Sequence, residues 1–302
     1  MIFPGQGSQS PGMQSDLAEH FPVIESTYAE ASEVLGYDLW ALVAEGPAEK
    51  LAETTITQPA MLAAGVATWR AWNEAGGQRP AVVSGHSLGE HTALVCAGAI
   101  EFTEAMAVVQ RRAELMQEAV PAGQGAMAAI LGLDDDIVGA VCEAVTGVVE
   151  PVNYNSPGQV VIAGETSAVS AAVELAREKG ARRAIVLPVS VPSHSSLMRG
   201  AGEALAQTLA SADFRAPAIT VVSAATARPY GDASDIRQLL ATQVFSPVRW
   251  TATIEAMVAA GADRFIECGP GKVLAGLVRR IDKSLQVAAA DDYDGFQKAL
   301  SG

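Results

Sequence analysis

Residues 84–90, Ser84-Gly85-His86-Ser87-Leu88-Gly89-Glu90, set one serine between two glycines, directly after an apolar run and directly before a helical pattern. A hydroxyl held at the tip of a sharp strand-to-helix turn is exposed to attack a carbonyl carbon, so the stretch reads as a nucleophile elbow. The chemistry it suggests is nucleophilic attack by the Ser87 hydroxyl. Residues 81–84 read as a short buried strand, and Leu88, Thr92, Val95 and Ala99 recur at helical spacing. Gly85 and Gly89 allow the close strand-to-helix approach, and Ser87 is expected in a strained backbone region. The following helix then aims free N–H groups at any oxyanion formed there.

A serine hydroxyl is a poor nucleophile at neutral pH and needs a general base within hydrogen-bond reach. The chain has four histidines. His20 lies in a polar stretch and reads as a surface residue. His86 precedes the nucleophile, which points its ring away from the side that Ser87 presents. His91 is a rival, because a residue four positions on can lean back along the helix toward Ser87. His194, in Val191-Pro192-Ser193-His194-Ser195-Ser196, sits where a loop leaves a strand and enters a helix. A lone loop histidine is more often a hydrogen-bonded structural residue than a base. The elements around His194 change that balance.

Those elements alternate. Residues 2–3 make a short strand that runs into the glycine-containing loop Pro4-Gly5-Gln6-Gly7-Ser8. Residues 21–76 are helical in pieces broken at Gly36, Gly46-Pro47 and Pro59, and a helix over 103–119 follows the elbow helix. From 125 to 189 the texture changes to strand 126–133, helix 134–145, strands 148–155 and 159–164, helix 167–179 and strand 183–189, the β-α-β-β-α-β order of a ferredoxin-like unit. Pro121-Ala122-Gly123 and residues 188–192 read as hinges. The expected organisation is therefore a larger α/β domain of residues 1–123 and 190–302, with a ferredoxin-like subdomain of residues 124–189 inserted in it. The larger domain resumes with helix 197–210, strand 219–223, helices 235–244 and 250–260, strand 264–268 and a helix beyond Gly269-Pro270-Gly271. Such alternation favours a mostly parallel sheet covered on both faces. An insert closing over the elbow puts His194 at the cleft, where pockets form.

The 302 residues, 49% hydrophobic, suffice for a substantial core, and no apolar run approaches the ~20 residues a membrane span requires. With no basic-then-apolar leader pattern, a cytoplasmic protein is expected. Cys96, Cys142 and Cys268 are far apart and without adjoining histidines, so neither disulfides nor a metal site is indicated. A net charge of −14 argues against a nucleic-acid partner. An anionic substrate would need local positive charge. Arg111/Arg112, Arg182/Arg183 and Arg279/Arg280 with Lys283 offer it, although each pair by itself reads as a solvated face.

Seven stretches, in order over nearly the whole chain, resemble malonyl-CoA:acyl-carrier-protein transacylases: FPGQGSQ at 3–9, QPA at 58–60, GHSLGE at 85–90, Arg112 followed by Met116-Gln117, NYNSPGQVVI at 153–162, PVSVPSH at 188–194 and GPGK at 269–272. The resemblance implies an α/β-hydrolase-like large domain with a ferredoxin-like insert. It implies that Ser87 accepts the acyl group, that His194 is its base, and that the backbone N–H groups of Gln6 and Leu88 form the oxyanion hole. Arg112 matches the arginine that pairs with the substrate's free carboxylate, and its planar fork suits that role. Gln243 matches the residue whose neighbourhood orients the histidine, and Gln58 and Asn155 fall in motifs expected at the substrate. The implied partners are malonyl-CoA, a coenzyme A thioester, and an acyl carrier protein bearing phosphopantetheine. No tightly bound cofactor, metal or membrane is expected, and the protein is expected to be a monomer serving fatty-acid synthesis, with polyketide synthesis as the alternative.

Three departures stand out: a short N-terminal strand, His91 where an aromatic residue is usual, and Ser223-Ala224-Ala225 in place of an asparagine-containing segment. Two other functions compete. A serine esterase or thioesterase would place its acid between Ser87 and His194, where the only aspartates are Asp134, Asp135 and Asp136, at a predicted helix start that capping explains. A non-catalytic docking module would bind the carrier without forming acyl-serine.

Overall fold

The computed structural model describes residues 1–302 except Ala122 and Ser190. One of these falls in each expected hinge, so both hinge readings lie partly outside the described residues. Among the described residues the strands are β1 Ile2–Phe3, β2 Val82–Gly85, β3 Gly125–Leu131, β4 Val149–Ser156, β5 Gln159–Glu165, β6 Arg183–Val186, β7 Thr220–Val222, β8 Arg264–Glu267 and β9 Gln286–Ala289. They form a five-stranded sheet in the order β7-β2-β1-β8-β9 and a four-stranded sheet in the order β4-β5-β3-β6.

Every pairing in the five-stranded sheet is parallel. Alternate side chains leave opposite faces of a strand, and the sequence fills both faces. Phe3, Val83, Val221 and Ile266 pack toward the helices Thr54–Glu74, Gly89–Cys96 and Phe102–Glu118. Ile2, Val82, Val222 and Phe265 pack toward Trp250–Ala259 and Val273–Ile281. The two-residue β1 holds the centre because Ile2 and Phe3 are fully buried and Ile2 pairs with both Ser84 and Glu267.

The four-stranded sheet is antiparallel. Ala126, Ala128 and Ile130 of β3 face the helices Asp135–Glu143 and Thr166–Glu178. Met127 faces the other way, with Val161, Ala163 and Leu187. This sheet is tied to the rest of the chain by paired backbone bonds, Tyr154 N–H to Val248 O and Val248 N–H to Val152 O, both 2.8 Å.

Three local expectations are corrected. Pro59 does not break a helix: it lies inside Thr54–Glu74. An internal proline typically costs ~3 kcal/mol, but residues 56–68 are buried without interruption, and that packing outweighs one lost bond. Asp134 occupies the N-cap of Asp135–Glu143 without a side-chain capping bond, so proximity to the helix dipole, not a cap, accounts for the acidic run. Finally, β9 and the helix Tyr293–Ser301 lie beyond the elements read from sequence. Both are short, and β9 is a half-buried edge strand with little periodic signal.

Candidate active site

β2 ends at Gly85 and the next helix begins at Gly89, so the chain reverses within three residues and Ser87 takes φ 52°. A Cβ on Gly85 would stand 1.9 Å from the Gly89 carbonyl carbon, and one on Gly89 2.1 Å from Phe3 O. No side chain fits at either position. Positive φ at a serine costs on the order of 1–3 kcal/mol and persists only where the surroundings impose it. Here the Gln243 Nε2 group helps impose it by donating to Ser87 O at 3.0 Å.

His194 also has positive φ, 69°, and its N–H donates to Val244 O at 3.0 Å. Its ring Nδ1 lies 2.9 Å from the Gln243 carbonyl oxygen. A carbonyl can only accept, so Nδ1 carries the hydrogen and Nε2 presents a lone pair. That Nε2 is 2.7 Å from Ser87 Oγ. Burial, reinforced by the Arg112 charge, lowers the imidazole pKa to about 3. The ring is therefore neutral and able to take the serine proton.

Arg112, in Phe102–Glu118, is 1% exposed. This overturns the solvated-face reading of the Arg111/Arg112 pair, in which only Arg111 is exposed, bound to Glu114 at 3.0 Å. Arg112 Nη1 donates to Gln58 Oε1 at 2.6 Å, and Nη2 to Gln243 Oε1 at 3.0 Å and to Ser87 Oγ at 3.3 Å. These acceptors are neutral, and the buried Nε–H has no partner among the described residues. Burial draws the guanidinium pKa down to about 10, against the pull of Glu90, so it keeps its charge at neutral pH. A buried cation with unspent donors beside a nucleophile is suited to an anionic group on the substrate.

Gln6, Ser87, Leu88, Arg112 and His194 line one cleft of about 400 Å³, which Met127 and Leu187 close from the antiparallel sheet. Among the described residues neither the Gln6 nor the Leu88 N–H has a protein acceptor. Gly5 brings these two segments together, since a Cβ there would lie 2.5 Å from His86 O and 3.8 Å from Leu88 N. Gln58 lines the cleft and braces Arg112. Gln243 is fully buried beneath it.

Asn155 is not in the cleft wall; its Oδ1 is 2.8 Å from His86 Nε2, while Asn153 lines the cleft. His86 also lines the cleft, with its ring held against Asn155 and 5.4 Å from the Trp250 ring. Its ring bonds to Asn155 and makes no bond to Ser87, in keeping with the expectation that it turns away. His91 is 2% exposed, with its Nε2 buried and unpartnered among the described residues. It does not reach Ser87 Oγ, which the ring of His194 occupies. Asp134, Asp135 and Asp136 lie at a helix start beside the antiparallel sheet, and a carbonyl holds the place behind His194 that an esterase gives to an acid. Sequence reasoning passes over Glu90 and Tyr230, which meet beneath the cleft although 140 positions apart. The only sequence signal was a carboxylate on an otherwise apolar helix face three residues after Ser87.

Fold and site together describe an acyl transferase, and the acyl transferase domain family matches residues 1–294. The chain belongs to that family and, within it, to the malonyl CoA-acyl carrier protein transacylases. It is 50% identical over 302 residues to the malonyl CoA-acyl carrier protein transacylase of Salmonella typhimurium, covering 99% of this chain and 98% of that one. Among solved structures it resembles malonyl-CoA:acyl carrier protein transacylase (FabD) of Xanthomonas oryzae pv. oryzae, with TM-score 0.97, 50% identity, and 99% and 96% of the two chains covered. It also resembles a malonyl-transacylase solved in complex with a type II PKS acyl-carrier protein, with TM-score 0.98, 51% identity, and 100% and 98% covered.

Proposed function

We propose that this chain moves the malonyl group from malonyl-CoA to the phosphopantetheine thiol of an acyl carrier protein through a malonyl ester of Ser87. Ser87 Oγ attacks the thioester carbonyl while His194 Nε2 takes its proton. The developing oxyanion is held by the Gln6 and Leu88 N–H groups, and the tetrahedral adduct collapses as coenzyme A leaves with the proton from His194. The carrier thiol then repeats the sequence in reverse. Thioester becomes ester and then thioester, so no energy-supplying co-substrate is needed. Arg112 holds the free carboxylate, braced by Gln58, and the Gln243 carbonyl orients His194. Asn155 acts one step back, by holding His86.

One observation carries this reading: Ser87 Oγ lies 2.7 Å from a neutral imidazole and 3.3 Å from a buried guanidinium. A hydrolase of uncharged acyl groups has no use for the second contact, and a docking module has no use for the first. The test follows labelled malonyl-CoA with purified holo carrier protein. Label on the carrier supports transfer; release as free malonate at the same rate with or without carrier would make the chain a hydrolase.

The accompanying architecture is an α/β-hydrolase-like domain of residues 1–123 and 190–302 with a ferredoxin-like subdomain of residues 124–189. The order β4-β5-β3-β6, with two helices on one face, supports the second part. We take the protein to be a cytoplasmic monomer that works without a bound cofactor. Among the described residues no helix is long and apolar enough to cross a membrane. Fatty-acid synthesis is the pathway this reading serves, with polyketide synthesis second; rates with the two kinds of carrier separate them.

A further inference from the structure

Beneath the cleft Glu90 is completely buried. Its Oε1 accepts from Gln243 Nε2 at 2.7 Å, and its Oε2 accepts from the Tyr230 hydroxyl. Burial raises the Glu90 pKa above the ordinary carboxylate value, and these two donors hold it down. The Gln243 amide N–H can only donate, Tyr230 donates to the other oxygen, and the form of a carboxyl group that accepts at both oxygens is the carboxylate. The other face of the same Gln243 amide, Oε1, accepts from Arg112 Nη2. A buried anion and a buried cation are thus joined through one neutral side chain, and they do not touch.

We propose that Glu90 is the resident counter-charge of Arg112, placed one amide away so that it balances the guanidinium in the empty site without occupying the donors that receive the substrate carboxylate. The inference rests on the reading of Arg112 as the carboxylate holder. A direct ion pair would have to be broken at every turnover, whereas an isolated guanidinium would be costly to bury. Glu90 repels the incoming carboxylate weakly and evenly, before and after acylation, so it sets how firmly the malonyl-enzyme is held.

The test is Glu90→Gln, which keeps the shape and removes the charge, with Arg112→Ala and Tyr230→Phe as companions. The second-order rate constants for acylation by malonyl-CoA and by acetyl-CoA are read from coenzyme A release without acceptor, and discharge of the malonyl-enzyme is read with carrier protein. Glu90→Gln is expected to raise the malonyl-over-acetyl ratio about fivefold, the scale of one screened charge, and to leave discharge of the malonyl-enzyme unchanged, because the repulsion is equal in the ester and in its transition state. Acetyl acylation is the reference against which the ratio is formed, and an unchanged melting temperature certifies the fold. Tyr230→Phe leaves the charge in place and should leave the ratio unchanged. In an Arg112→Ala background Glu90→Gln should have no effect on the ratio. A ratio that stays put or falls in Glu90→Gln, or that moves equally in Tyr230→Phe, overturns the proposal. If Arg112→Ala alone leaves the ratio unchanged, the reading of Arg112 fails with it; if Arg112→Ala collapses the ratio while Glu90→Gln does nothing, only the counter-charge inference fails.

Discussion

A hydroxyl and an imidazole 2.7 Å apart make a nucleophile only if the imidazole is neutral, and two features keep His194 neutral. Its Nδ1–H is committed to a carbonyl, and burial beside Arg112 lowers its pKa to about 3. Replacing His194 by Ala should cut acylation by roughly 10²- to 10⁴-fold, the usual worth of a positioned base. His91→Ala should retain most activity; comparable losses in the two variants would return His91 to candidacy. Arg112→Ala should lower the malonyl-CoA acylation rate constant by about 10- to 100-fold, from charge-assisted hydrogen bonds worth ~1.5–3 kcal/mol, with acetyl-CoA little affected. Side-by-side acylation kinetics check this. Ser87 was legible from its glycine-flanked setting. Arg112 was legible only through the resemblance, because a helix arginine reads as solvated until the rest of the chain buries it. Glu90 and Tyr230 were not legible, since their meeting depends on a contact spanning 140 positions.

At the scale of elements, the reversal between β2 and its helix is the part that sequence spacing specified best, because sterics leave so few alternatives. Gly89→Ala should lose more than about 2 kcal/mol of stability, the cost of overpacking against backbone that cannot move, and should lose acylation as well. Chemical denaturation with a parallel activity assay measures both, and a stable, active variant would show that the Phe3 carbonyl is free to shift. Where reading failed, local rules lost to packing. Pro59 punctuates a sequence but not a fully buried helix, and β9 borrows its order from β8, to which it pairs over residues 264–267. The strand over 126–133 was readable, but its run is apolar throughout, so which face would meet the cleft depended on the other half of the chain.

The whole molecule places a cleft between a parallel and an antiparallel sheet and buries several ionisable groups to build it. His91 has a folded pKa of about 3 against an ordinary 6.5, set by burial and then by Arg112. Below pH 6.5 the unfolded chain binds a proton that the folded chain refuses. The stabilisation this residue contributes is therefore complete above pH 6.5 and is lost as the pH falls toward 3, the loss reaching about 2 kcal/mol at pH 5. Glu267, raised by burial to about 7, works in the opposite sense and is common to any His91 variant. His91→Leu should thus show a smaller drop in Tm from pH 7 to pH 5 than the parent chain, and equal drops would place a proton on His91 in the fold. The most direct measurement for the account as a whole is the mass of the chain and its peptides after exposure to malonyl-CoA alone, then after addition of holo carrier protein. One malonyl group on the peptide containing Ser87, discharged by the carrier, is the predicted result. A label on another residue, or one that persists in Ser87→Ala, would contradict it.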